Sequence, residues 1–229
     1  MALLEVCCGS PESVAAAVAG GARRIELCAH LELDGLTPPV EWVREAKTRY
    51  PGLLVHVLIR PCTGNFVYTA EEADTMVLQI REALEAGADG IVIGALTPVG
   101  NVDLTLLKRL ISVIPAGQAS ITFHRAFDVC RKPFDALEQI IGLGCNRILT
   151  SGQQPTVVEG ADMLRALRQH ARGRILILPG GGVTSDNAAR ILTRTGCVEI
   201  HASASETLNG KKTTSAAKVA AILQAISAC

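Results

Sequence analysis

The stretch TFHRAFDVC, residues 122–130, sets His124 and Asp128 just beyond an apolar run. An imidazole titrates near neutral pH and can carry protons as a general acid or base. Similar groups stand on or beside other apolar runs: Glu5 and Cys7 in LLEVCC, Glu26 and Cys28 in RIELC, His56 and Arg60 in LLVHVLIR, and Glu199, His201 and Ser203 in VEIHAS. Paired carboxylates and imidazoles suit proton transfer, thiolates suit soft metal ions, and a guanidinium clamps anions. The stretch LPGGGVTSDNAARIL, residues 178–192, joins Gly180, Gly181 and Gly182 to a predicted helix start at Ser185 and Asp186. Backbone amides in such a loop, with Ser203 nearby, would hold an anion or phosphate. A tight strand-to-helix turn accounts for the same glycines.

Whether these groups meet depends on the elements that carry them. Eight short apolar runs read as strands: 2–8, 24–27, 53–60, 90–94, 120–125, 147–151, 174–180 and 198–203. Helical spacing separates them, with start and stop signals such as Ser10-Pro11, the capping box Thr69 to Glu72, and Gly87. One punctuation precedes every even-numbered strand: Gly21-Ala22-Arg23-Arg24-Ile25, Gly87-Ala88-Asp89-Gly90-Ile91, Gly144-Cys145-Asn146-Arg147-Ile148 and Gly196-Cys197-Val198-Glu199-Ile200. Strict alternation with an internal repeat of two-strand units predicts an α/β fold, a (β/α)8 TIM barrel forming one domain over residues 1–229. An open doubly wound sheet is the alternative. No G-x-G-x-x-G follows the first strand, so dinucleotide binding is unsupported.

Side chains alternate across a strand, and the outer face of a barrel strand must be apolar where helices cover it. Val55, Val57, Ile59, Ile121, Phe123 and Ile200 therefore point outward. Glu5, Cys7, Glu26, Cys28, His56, Arg60, Thr122, His124, Glu199, His201 and Ser203 point inward. Asp128 is expected in the loop after the fifth strand, with Arg125 turned toward the shell as a structural partner. The candidate catalytic cluster at the barrel mouth is Glu5, Glu26, His56, Arg60, His124, Asp128 and His201. These groups either satisfy one another as a plug or bind something, because so many buried charges are costly alone.

Twenty-two basic and twenty-two acidic residues leave no net charge, against a nucleic-acid partner. No apolar stretch is long enough to span a bilayer, and the N-terminal run is interrupted by Glu5, so no membrane partner and a cytoplasmic location are expected. Eight cysteines then read as free thiols rather than a disulfide framework. A homo-oligomer is left open. All six lysines fall in predicted helices or loops, against a Schiff-base aldolase.

Taken together, LLEVCC, RIELC, DGLTPP at 34–39, VHVLIRP, GNVD at 100–103, TFHRAFDVC, RILTSGQ and EIHASA resemble the CutC family, in this order over nearly the whole chain. The resemblance implies a TIM barrel and a role in copper homeostasis, with Cys7 and Cys28 as a Cu(I) site. The chain departs from the family after the eighth strand, where ETLNGKKTTSAAK leads almost directly into the last helix. A copper-handling protein and an enzyme acting by His/Glu acid–base chemistry on a small anionic or phosphorylated metabolite both remain open; a barrel that only presents a surface leaves the inward charges unexplained.

Overall fold

The structure is a computed structural model that describes residues 2–208 and 211–227. Its strands are β1 (Leu3–Cys8), β2 (Arg24–Leu27), β3 (Leu54–Leu58), β4 (Gly90–Ile93), β5 (Ser120–Phe123), β6 (Arg147–Thr150), β7 (Leu176–Pro179) and β8 (Glu199–Ala202). Helices α1 (Pro11–Ala19), α2 (Val40–Arg49), α3 (Ala70–Glu85), α4 (Leu104–Ile111), α5 (Pro133–Gly142), α6 (Ala161–Ala171), α7 (Ala188–Thr195) and α8 (Ala216–Ile226) alternate with them. Neighbouring strands pair in parallel in the order β7-β6-β5-β4-β3-β2-β1-β8, and a parallel bridge from Gly180 to His201 brings the ends of the sheet together. The result is a (β/α)8 TIM barrel, as the alternation requires.

The repeat explains the local geometry. Gly21, Gly87, Gly144 and Gly196 all adopt the left-handed conformation, with φ of 94°, 92°, 79° and 70°, which a side chain would strain. Two positions later, Asp89 Oδ2 accepts from Val55 N (2.8 Å) and Asn146 Oδ1 from Ile121 N (2.7 Å), tying the junction to the neighbouring strand. The isoleucine that closes each repeat, Ile25, Ile91, Ile148 and Ile200, is fully buried in the layer between strands and helices. Cys8, Cys145 and Cys197 share that layer as small apolar side chains.

The residue before each isoleucine faces the other way. Arg24, Gly90, Arg147 and Glu199 come from alternate strands, as one layer of a barrel interior does, and they form its floor. Arg24 donates to both carboxylate oxygens of Glu199 (3.0 and 2.7 Å) and lies 2.7 Å from Glu5; Arg147 donates to Glu199 (3.0 Å) and to Ser120 Oγ (2.5 Å). Burial alone would raise the Glu199 carboxyl, but the bonds and charge of Arg24 and then Arg147 bring it below the usual carboxylate range. Gly90 supplies no charge. It supplies space, since a Cβ there would lie 2.3 Å from the His56 ring.

Two features differ from expectation. The segment after β8 is a hairpin of β9 (Ser205–Leu208) and β10 (Lys211–Thr214), tied down where Thr214 Oγ1 donates to Cys7 O (3.4 Å) and Lys218 Nζ to Ser205 O (2.7 Å). Ser185 and Asp186 precede α7 in a turn in which Thr184 N donates to Asn187 Oδ1 (2.9 Å), so the helix opens later than the sequence predicts.

Asp128 lies beyond β5 in a short 3-10 turn and never enters the barrel. Its carboxylate accepts from Thr150 Oγ1, Ser151 N (3.0 Å), Ser151 Oγ (3.0 Å), Gln153 N (3.2 Å) and Arg125 Nε (2.7 Å). It is a clamp between two loops. Asp128→Ala strands buried donors, so it is expected to cost about 2–4 kcal/mol in urea denaturation, whereas Arg125→Ala, with a half-exposed side chain, costs under about 1 kcal/mol. In the same assay Glu199→Gln, which breaks a buried pair, is expected to cost about 3–5 kcal/mol. Arg194→Ala, which breaks an exposed pair with Asp162, costs under about 1 kcal/mol.

Candidate functional site

Above the floor, adjacent strands β8, β1 and β2, with Cys28 just past the end of β2, bring two acids, an imidazole and two thiols into one corner. The register sets Glu5 beside His201 and Cys7 beside Glu26. Glu5, fully buried, accepts from His201 Nδ1 (2.9 Å) and lies at ion-pair distance from His56 Nδ1 (3.3 Å) and Arg24 Nε (2.7 Å), both outside hydrogen-bond alignment. The bond to Glu5 holds the ring with Nε2 facing Glu26 Oε2 at 3.7 Å. Ligand atoms of Cys7, Glu26 and His201 all lie within 4.8 Å of one another. Cys28 Sγ is 3.6 Å from Cys7 Sγ, close enough for both sulfurs to reach one ion.

The protonation states differ across this corner. Burial acts to raise the Glu5 carboxyl, but His201, His56 and Arg24 overcome it and hold Glu5 well below the usual range. Glu26 moves the other way, raised by burial that the charge of His201 only partly offsets. Burial opposes the His201 imidazolium, yet Cys7, Glu5 and Glu26 together raise it well above the ordinary value. The Cys7 thiol is raised by its contact with Cys28 and then by burial. The corner is therefore rich in protons that a metal ion would displace.

The adjoining wall is built from β3, β4 and β5. Arg60 and His124 stand one or two residues beyond their strands, buried to 6% and 4% exposure. Gly94 makes room for His124, because a Cβ there would lie 2.5 Å from its ring. Phe66 lies against both, its ring 5.1 Å from the Arg60 guanidinium carbon and 5.0 Å from the His124 ring centre, tilted 50° to the imidazole. Thr122 lies below His124 on the same face, and Leu58 and Val92 sit inside the barrel against Cys7 and Cys28.

The structure thus brings Glu5, Glu26, His56 and His201 together with Cys7 and Cys28, sets Arg60 and His124 on a separate wall, and leaves Asp128 outside. Of the glycine amides expected to face an anion, Gly180 N donates to Thr150 O (3.0 Å); the carbonyls of Gly181 and Gly182 accept from Val157 N (2.9 Å) and Asn187 Nδ2 (2.9 Å), and Ser203 is exposed and lies 3.3 Å from Ser205 Oγ. Arg24 and Arg147 were not among the sequence candidates, although the repeat marks their position. Phe66 carried no signal, since an aromatic in a loop has no periodicity to place it.

The CutC family model matches residues 2–206. The chain is 49% identical over 205 residues to a CutC family protein of Bacteroides thetaiotaomicron, covering 89% of this chain and 81% of that protein. It is 43% identical over 210 residues to one of Vibrio campbellii, covering 92% and 82%. The CutC structure from Streptococcus agalactiae superposes with a TM-score of 0.84 at 32% identity, covering 89% of this chain and 99% of that one. A thiamine phosphate pyrophosphorylase from Pyrococcus furiosus, at TM-score 0.64 and 17% identity, covering 98% and 95%, shares the fold alone. With most of its length matched in sequence and its barrel matched in shape, this chain belongs to the CutC family.

Proposed function

We propose that the barrel takes up a soft metal ion, Cu(I), as cargo, held by Cys7 and Cys28 with His201 and Glu26 beside them. One observation carries the reading: the thiols of Cys7 on β1 and of Cys28, just beyond β2, lie 3.6 Å apart, beside a buried imidazole and carboxylate. Thiolates are soft donors that favour Cu(I). With metal–sulfur bonds of about 2.3 Å, a 3.6 Å separation corresponds to a bent, roughly tetrahedral S–metal–S angle, which leaves directions for His201 Nε2 and Glu26.

Three further features support it. Glu5 bonds the far nitrogen of His201, the arrangement by which outer carboxylates orient metal-binding imidazoles and raise their basicity. The S. agalactiae relative was solved as a candidate copper homeostasis protein. Seven described cysteines are all free, and no helix among the described residues is long and apolar enough to cross a membrane, which fits a reducing, cytoplasmic setting.

Anaerobic titration of reduced protein with Cu(I) against a chromogenic chelator is expected to show one tightly held equivalent. Cys7→Ser and Cys28→Ser should each abolish it, Glu5→Gln should weaken it about 10- to 100-fold, and Cys8→Ser, on the outer face, should leave it intact. Unchanged uptake by a folded Cys7→Ser/Cys28→Ser double variant overturns the proposal.

A further inference from the structure

Every buried arginine on the barrel floor faces a carboxylate; Arg60 does not. Its Nη1 donates to the carbonyls of Leu33 (3.0 Å), Asp34 (3.3 Å) and Gly35 (2.9 Å), and its Nη2 to that of Gly64 (3.5 Å). Among the described residues no acid lies at ion-pair distance from it, and its Nε is buried without a partner. A guanidinium removed from water costs several kcal/mol unless an anion compensates it, and neutral carbonyls leave its charge in place.

The neighbouring groups lack the same thing. His124 Nδ1 accepts from Ala126 N (3.1 Å), so the neutral ring carries its proton on Nε2, a buried donor with no acceptor. Burial, and then the charge of Arg60, push the His124 pKa down to about 3, which keeps that neutral donor in place across the physiological range. Thr122 Oγ1 and Tyr68 Oη are also buried and unpartnered, and burial raises the Tyr68 phenol against the pull of Arg60, so it stays a donor. Four donors and one uncompensated positive charge call for an oxygen-rich anion.

We propose that this wall is a second binding site, for the carboxylate or phosphate group of a small ligand, with Arg60, Thr122, His124 and Tyr68 as its donors and Phe66 as the ring that covers Arg60 and His124. The site uses none of the metal-corner ligands, so it goes beyond the metal reading and stands or falls separately. Phe66 fills the space between guanidinium and imidazole in a left-handed backbone conformation, φ 65°, that a bulky residue adopts only where its surroundings enforce it. Leu96 N, donating to Phe66 O at 2.8 Å, supplies part of that enforcement, and Gly64, at φ 131°, lies two residues away. Outward movement of this ring would uncover Arg60 and His124, the two groups it lies against.

The test uses metal-free, full-length protein, titrated separately with inorganic phosphate and with acetate at constant ionic strength, chloride serving as control. The His124 imidazole is followed by ¹⁵N–¹H NMR and the thermal midpoint is recorded in parallel. A saturable shift of the His124 Nε2–H signal and a rising midpoint are expected with at least one anion, and which anion acts identifies the group. His124→Phe and Arg60→Met should weaken binding at least tenfold, Arg60→Lys should retain part of it, and Phe66→Ala, which spares every donor, should strengthen it. Cys7→Ser should leave it unchanged, which separates this outcome from the copper titration. No saturable response to either anion in both wild type and Phe66→Ala, or undiminished affinity in folded Arg60→Met, overturns the proposal.

Discussion

A ring of eight parallel strands has one interior, and any charge placed there must find its partner there. Arg24 shows what this demands. Rooted on β2, its guanidinium reaches Glu5 on β1 and Glu199 on β8, so one side chain knits three neighbouring strands. Glu5, held by that contact, is then placed to bond His201 and lie against His56. The position of the imidazole, and through it the composition of the thiol corner, rests on an ion pair at the floor. Breaking such a pair leaves its partner unsolvated and unpaired, which is why a buried network is sensitive to the loss of any member.

The interior is not uniform along its axis. At the floor, Arg24 and Arg147 are ion-paired with Glu5 and Glu199, and the interior behaves as a plug. Higher up, on the β8-β1-β2 side, thiol, imidazole and carboxylate crowd together, with His201 and Glu26 both shifted toward their protonated forms. On the adjoining wall, Arg60 Nε and His124 Nε2 are donors with no acceptor. Buried polar groups in native proteins are overwhelmingly paired, so the level at which pairing fails is the level at which a ligand is most informative.

Closeness in sequence was a poor guide to closeness in space. His124 and Asp128 stand four residues apart in one conspicuous stretch, yet the turn between them sends the imidazole into the barrel and the carboxylate into a loop clamp held by Ser151, Gln153 and Arg125. Cys7 and Cys28, 21 residues apart, end in contact. In the three glycines after β7, the carbonyls of Gly181 and Gly182 bind their own chain, at Val157 and Asn187.

The sequence alone determined the eightfold alternation from which the barrel is read, because apolar runs, helix caps and a left-handed glycine before each even strand are local signals written over a few residues each. It also determined which face of each strand is apolar, and so that Glu5, Glu26, His56 and His201 must share the interior, since a one-residue change of register would turn every one of them outward. It did not determine who partners whom. That Arg24 bonds Glu199 across 175 positions, that the Cys7 and Cys28 sulfurs come within 3.6 Å of each other, and that Phe66 lies against both Arg60 and His124 were decided by closure of the ring and by loop paths that carry no periodicity. Facing inward is a property of one strand; distance between two inward groups depends on the stagger of all the strands between them, and only the folded chain contains it.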